Sequence, residues 1–187
     1  MITGPSGVGK GTLIRALRER LSGLELSVSA TTREPRAGEV DGRDYHFLTP
    51  EQFERRLLAG DFLEHATYAG NRYGTLTSEL ERAAGEGARG LLLEIELHGA
   101  RQVREALPEA LQVFIAPPSP EALRTRLVGR GADSAEQIEE RLAVAGRELE
   151  ARSEFEHVVV NDRLERSVDE LVELVASISG RPEGASQ

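Results

Sequence analysis

The stretch Gly4-Pro5-Ser6-Gly7-Val8-Gly9-Lys10-Gly11-Thr12 decides how this chain is read. It fits G-x-x-x-x-G-K and stands directly before Leu13, Ile14, Leu17 and Leu21, which share one face of a helix. Glycines at these places let successive backbone N–H groups turn inward around an anion. The helix N-terminus adds partial positive charge, and Lys10 reaches the terminal phosphates of a bound nucleotide. Gly4, Ser6, Gly7, Val8, Gly9, Lys10, Gly11 and Thr12 are therefore the first candidates for holding ATP. The pattern asks for Ser or Thr immediately after the lysine, where Gly11 stands, so the hydroxyl for Mg2+ falls to Thr12 or is replaced by water. A glycine-rich turn that merely caps a helix would look similar. Against that, Lys10 is the single lysine among 23 basic residues, all the others being arginine. An ammonium fits a tight backbone cradle where a guanidinium does not.

Outward from the loop, 187 residues suffice for one core-bearing domain with small insertions. The composition, 39% hydrophobic and 29% charged, is that of an ordinary globular protein. A net charge of −9 disfavours broad contact with a nucleic-acid polymer or an anionic membrane. No apolar run approaches the roughly 18 residues of a membrane span, and no secretory leader is visible. Cysteine is absent, which excludes disulfides and thiolate metal sites. A cytoplasmic location is expected.

Leu91–Ile95, Val113–Ala116 and His157–Val160 read as short buried strands, and Tyr45–Phe47 and Leu63–Tyr68 as aromatic-bearing ones. Helical patterns occupy Pro120–Val128, Ser134–Glu150 and Ser167–Ile178, the last stopped by Gly180. Thr49-Pro50-Glu51-Gln52 carries a helix start: a Thr cap, Pro at the first position, Gln at the third. Alternating strands and helices predict an α/β fold with a parallel-sheet core and helices on both faces.

The turn-rich Ser29-Ala-Thr-Thr-Arg33-Glu-Pro-Arg36-Ala-Gly-Glu39 runs on through Asp41-Gly-Arg-Asp-Tyr45-His-Phe47. Two guanidiniums three residues apart, stiffened by Pro35, face a carboxylate and a phenol. Arginine offers bidentate forks to phosphate oxygens and tyrosine adds a neutral donor, although an exposed charged loop would share much of this composition.

This run resembles the T-T-R-x-P-R-x-G-E-x-x-G-x-D-Y-x-F signature of the guanylate kinase family, and the resemblance extends over almost the whole chain. It implies that Arg33, Arg36 and Tyr45 hold the GMP phosphate, with Ser29 and Glu39 at further GMP positions. Phe62-Leu63-Glu64 and Gly70-Asn71-Arg72-Tyr73-Gly74-Thr75 also match, which places Glu64 and Thr75 at the guanine and Tyr73 at the phosphate. The chemistry agrees. Guanine presents two donors, N1–H and the exocyclic amine, and one carboxylate can accept both. Adenine would leave Glu64 a buried charge without a donor, a mismatch that discriminates by about 10⁴.

Glu94 and Glu96 alternate at the carboxyl end of the Leu91–Ile95 run, where a P-loop fold keeps its magnesium. The family pattern Asp/Glu-I-Asp-x-Gln-G stands here as Glu94-Ile95-Glu96-Leu97-His98-Gly99, so Glu96 replaces a shorter Asp. The resemblance implies GMP-site roles for Glu94 and Glu96, and Thr12 and Glu96 are the metal candidates. It also implies that Arg126, Arg130 and Arg141 come from a lid over ATP, with Asp133-Ser134 capping its second helix, and that Asn161 contacts adenine. Lys10, Arg33, Arg36, Arg130 and Arg141 are the candidates for catalysis.

The expectation is a P-loop kinase with its core in 1–28 and 81–180, a lid at about 126–147 within it, an inserted β-rich GMP lobe at 29–80, and a frayed tail at 181–187. Its reaction would pass the γ-phosphoryl of MgATP to GMP, and dGMP is expected to serve as well. Rivals are a phosphopeptide-binding scaffold module of the same fold and a kinase of another small phosphorylated acceptor. The sequence leaves the oligomeric state open, a homo-oligomer included. Only Met1, Ile2 and Thr3 precede Gly4, fewer than the roughly 5–6 residues of a mean strand. The natural chain is therefore expected to begin upstream with an apolar run, and restoring one is expected to raise the melting temperature and tighten ATP binding.

Overall fold

The computed structural model describes residues 1–68, 70–129 and 134–179. In chain order its strands are β1 (Ile2–Thr3), β2 (Leu24–Leu26), β3 (Ala30–Thr31), β4 (His46–Phe47), β5 (Phe62–Tyr68), β6 (Asn71–Leu76), β7 (Gly90–Leu92), β8 (Val113–Ala116) and β9 (His157–Val160). The helices are α1 (Lys10–Arg20), α2 (Pro50–Leu58), α3 (Ser78–Gly85), α4 (Leu97–Ala106), α5 (Pro120–Gly129), α6 (Ala135–Glu150) and α7 (Leu164–Ser179). The chain divides into two compact units, Met1 with Gly23–Ala110, and Ile2–Ser22 with the described residues from Leu111 onward.

The unit that carries the phosphate loop has a parallel sheet in the order β1-β8-β9. Ile2 pairs with Val113, and Val113 through Ala116 pair with His157 through Val160. Val113, Phe114, Ile115 and Ala116 are all buried, as a parallel strand covered on both faces must be. Leu13, Ile14 and Leu17 of α1 are buried in the same unit, as are Val168, Leu171 and Val175 of α7. Leu123 and Leu127 of α5 pack with Ile138 and Ala145 of α6.

The other unit contains a parallel β2-β7 pair and a four-stranded sheet in the order β4-β3-β6-β5. Thr49 accepts from the Gln52 N–H at 3.2 Å, and the Gln52 side chain accepts from the Thr49 N–H at 2.7 Å, which closes the expected capping box of α2. Phe53 of α2 packs with Ala30 and Leu76 of this sheet and stacks on Phe62, ring centroids 4.4 Å apart.

Three expectations need correcting. The strand read as Leu91–Ile95 keeps its ladder only over Gly90–Leu92. Beyond it Leu93 and Ile95 stay buried while Glu94, which keeps an isolated bridge, and Glu96 face outward, so the burial alternation outlasts the continuous ladder. The last helix begins at Leu164 rather than Ser167. The Ser167 hydroxyl is buried and donates back to the carbonyls of Val160 and Arg163, so a residue that reads as a helix start lies inside the helix. Finally, α3 and α4 escape the sequence pattern: both are short, and they bury Glu79 and Ala83 on α3 and Gly99, Ala100 and Val103 on α4 rather than a row of large apolar side chains. The tail 181–187 and the stop at Gly180 lie outside the described residues.

Candidate active site

The phosphate loop joins β1 to α1. Gly9 caps α1 in a left-handed conformation, φ 99°, and a Cβ there would stand 2.7 Å from Asn161 Nδ2. Only glycine meets both demands. Asn161 follows β9 directly, is buried, and donates from Nδ2 to the Val8 carbonyl at 2.8 Å. Arg126 of α5 donates to the same carbonyl at 2.9 Å and to the Asn161 carbonyl at 2.7 Å. Lys10 Nζ donates to the carbonyls of Gly4, at 2.7 Å, and Pro5, at 3.3 Å. Three loop carbonyls are thus turned toward protein donors. An anion-binding loop requires that orientation, because a carbonyl facing phosphate would repel it.

Within this unit the candidates Gly4, Ser6, Gly7, Val8, Gly9, Lys10, Arg126 and Asn161 therefore form one connected group. Gly11 and Thr12 are exposed on the first turn of α1, and Arg141 lies half-buried on α6. Arg130 and Asp133 lie outside the described residues. Ser134 caps α6 through a full capping box with Gln137.

The acceptor candidates gather in the other unit, on and beside the four-stranded sheet. Arg33 donates to Glu39 Oε1 at 2.9 Å, and the Arg36 backbone N–H donates to Glu39 Oε2 at 2.7 Å. Glu39 therefore shapes the turn that presents both arginines. The hydrogen bond to Arg33, with help from the Arg36 N–H, holds its carboxyl below the usual range. The Arg33 guanidinium lies 5.2 Å from the ring centre of Tyr45 and 5.8 Å from that of Phe47. Tyr45 meets Tyr73 edge-on at 6.2 Å. Burial pushes the Tyr45 phenol up, so it stays protonated and can donate to an anion.

Glu64 of β5 is buried and accepts from the Thr75 hydroxyl of β6 at 2.7 Å. Antiparallel pairing of these strands sets Glu64 opposite Thr75. Burial raises the Glu64 pKa, and the Thr75 hydroxyl and N–H only partly counter it. Gly99 of α4 leaves the space that the other carboxylate oxygen fills, since a Cβ there would overlap Glu64 Oε2. Gln102 of α4 holds the neighbouring His65, accepting from its N–H at 3.1 Å and donating to its carbonyl at 2.7 Å. Glu94 and Glu96 are exposed, the first within electrostatic reach of Tyr45 and the second of Glu64. Ser29 is half-buried just before β3, its carbonyl accepting from the His46 N–H at 2.9 Å.

Gly99, Gln102 and Glu79 were not anticipated. Nothing in the local sequence distinguishes Gln102 from a surface glutamine, and Glu79 reads as an ordinary first-turn acid of a helix. Among the described residues no cluster of three or more His, Asp or Glu side chains is arranged to hold a metal. No described helix is long and apolar enough to cross a membrane.

A family model described as guanylate kinase matches residues 1–178. A guanylate kinase of Synechococcus sp. (strain CC9311) is 53% identical over 171 residues, covering 91% of this chain and 90% of that protein. The crystal structure of guanylate kinase from Anaplasma phagocytophilum superposes with a TM-score of 0.75 at 31% identity, over 97% of this chain and 86% of that one. A shikimate kinase from Bacteroides thetaiotaomicron, 20% identical with a TM-score of 0.50 over 94% of this chain and 96% of its own, shares the fold alone. With a phosphate loop in one unit and an arginine-tyrosine cluster beside a buried carboxylate in the other, the chain belongs to the guanylate kinase family, the ATP-dependent kinases of nucleoside monophosphates.

Proposed function

We propose that the protein transfers the γ-phosphoryl group of MgATP to GMP, and to dGMP, giving ADP and the corresponding diphosphate. The observation that carries the GMP assignment is the buried Glu64–Thr75 pair on the same sheet as the Arg33–Tyr45–Tyr73 cluster. A buried carboxylate with one oxygen engaged by a hydroxyl is suited to a base edge that offers two donors. Guanine offers them and adenine does not.

In the transfer, an oxygen of the acceptor phosphate bonds to the γ-phosphorus while the bond to the β,γ-bridging oxygen breaks, and ADP leaves with that electron pair. The acceptor phosphate is already an anionic nucleophile, so no general base is needed. The protein supplies alignment and neutralisation of charge. Lys10 exchanges its loop carbonyls for the terminal phosphates of ATP, and Arg126 and Asn161 keep the Val8 carbonyl turned away. Arg141 and Arg130 are assigned to the ATP side by resemblance to the family. Arg33 and Arg36 neutralise the acceptor phosphate, Tyr45 and Tyr73 add neutral donors, and Ser29 completes the guanine contacts. The Mg2+ that accompanies ATP would neutralise charge on the phosphates, and Thr12, the hydroxyl of α1, and the Glu96 carboxylate are the candidates to hold it. That donor set fits an ion that keeps most of its hydration rather than an all-protein cage.

A coupled assay across AMP, GMP, CMP, UMP and dTMP with MgATP tests the assignment. Turnover is expected with GMP, and kcat/KM for AMP should be lower by about 10³ or more. Equal kcat/KM for AMP and GMP would overturn it.

A further inference from the structure

Two carboxylates are buried among the described residues, Glu64 and Glu79. The reaction uses Glu64 and has no evident use for Glu79. Glu79 stands in the first turn of α3, its side chain 4% exposed. Its Oε2 accepts from the backbone N–H of Val28 at 2.8 Å and from Arg82, Nε at 3.3 Å and NH2 at 3.1 Å. Its Oε1 lies 3.3 Å from His46 Nε2. Burial pushes this carboxyl up, yet the Val28 N–H, the Arg82 guanidinium and His46 together bring it below the usual glutamate range. Arg82 is itself held on Glu86 at 2.8 Å.

The two segments that Glu79 grips lead to Ser29 and to Tyr45, both candidates for the acceptor site. Val28 is the single residue between Ser27, whose N–H donates to the Leu92 carbonyl of β7, and Ser29. His46 follows Tyr45, and its own N–H donates to the Ser29 carbonyl. One carboxylate thus ties the segment that presents Ser29 to the strand that presents Tyr45. Stability is a weak reason for such a group, because a well-packed apolar residue of similar volume is often neutral or stabilising in place of a buried ion pair. What the carboxylate adds is direction: three donors must come to fixed places. A displacement of about 1 Å in a substrate-positioning group can cost about 10² in rate.

We propose that Glu79 is a positioning residue for the acceptor nucleotide, holding Val28 and His46 so that Ser29 is presented to the base and Tyr45 to the phosphate. This rests on the acceptor-site reading above.

The test compares Glu79→Leu and Glu79→Gln with the wild-type protein by KM for GMP, KM for ATP and Tm. Glu79→Leu is expected to raise the KM for GMP tenfold or more and to leave that for ATP within twofold. Glu79→Gln is expected to restore it to within threefold. Its amide oxygen can accept from Val28 and Arg82 while its NH2 stands beside the His46 ring nitrogen. An unchanged KM for GMP in Glu79→Leu, equal rises for both nucleotides, or a glutamine variant as impaired as the leucine variant would overturn the proposal. If Glu79→Leu does not fold, His46→Leu decides, since that ring is one-third exposed. A selective rise of at least threefold in the KM for GMP supports the role, and no rise overturns it. Should the wild-type protein not turn over GMP, the substrate reading fails separately. The same variants are then compared on whichever monophosphate it accepts, with the same two outcomes.

Discussion

Glu64 is where binding and stability pull apart. To accept two donors from guanine it must be ionised, yet burial favours its neutral form and raises its pKa above the ordinary 4.5. Between 4.5 and that raised value the native state holds more protons than the unfolded state, so stability falls as pH rises through the window. Above it the full penalty of a buried charge is present. Glu64→Gln keeps an oxygen for the Thr75 hydroxyl and removes the charge. The variant should therefore melt higher than wild type at pH 7.5, and the gap should close as pH is lowered toward 4.5. Its kcat/KM for GMP should fall by about 10² or more, because the amide meets a guanine donor with another donor. A lower melting temperature at pH 7.5 would mean that Glu64 serves the fold rather than the ligand.

Helix α2 shows how an element supports a site without touching it. Its capping box fixes where the helix starts, and Phe53 then falls against Ala30 and Leu76 beneath the strands that present the acceptor residues. Arg72 of β6 lies over the same ring at 5.2 Å and pairs with Glu54 of α2. Thr49→Ala removes one reciprocal cap and should cost about 1 kcal/mol, read as a lower urea midpoint with an unchanged slope. In a chain of this size that corresponds to a fall of about 2–4 °C in Tm. The KM for both nucleotides should stay within twofold, since Phe53 and its partners remain. A larger loss of GMP affinity than of stability would show that α2 tunes the site directly.

At the scale of the molecule, the proposed function divides the labour of binding between the two units. The loop, Arg126 and Asn161 belong to one, and the arginine-tyrosine cluster and Glu64 to the other. Hydrogen exchange with single ligands should separate them. GMP alone should slow exchange in segments 29–47, 64–68 and 71–75, which contain the acceptor-site candidates. ADP alone should slow exchange in 4–12 and around Asn161. Protection by GMP centred on residues beyond Leu111 would mean that the acceptor site has been assigned to the wrong unit.

Local chemistry made much of this legible in the sequence alone. The glycine spacing around Lys10, the cap at Thr49 and the apolar runs at Val113–Ala116 and His157–Val160 declare themselves within a few residues, because backbone geometry and strand or helix period act over that range. The division into α/β elements followed from the same signals, and the resemblance to the family supplied site roles that no spacing could. What only the tertiary structure decided depends on partners distant along the chain. Glu64 is a buried acid because β6 brings Thr75 opposite it and α4 brings Gly99 against it. Glu79 looks like a first-turn surface glutamate until Val28 and His46, 51 and 33 residues away, arrive at its two oxygens. Arg126 reads as a charge on an amphipathic helix, and the fold turns it onto the Val8 carbonyl, 118 residues away. Desolvation and hydrogen bonding set the behaviour of a polar side chain, and both are properties of the assembled surroundings rather than of neighbours in sequence.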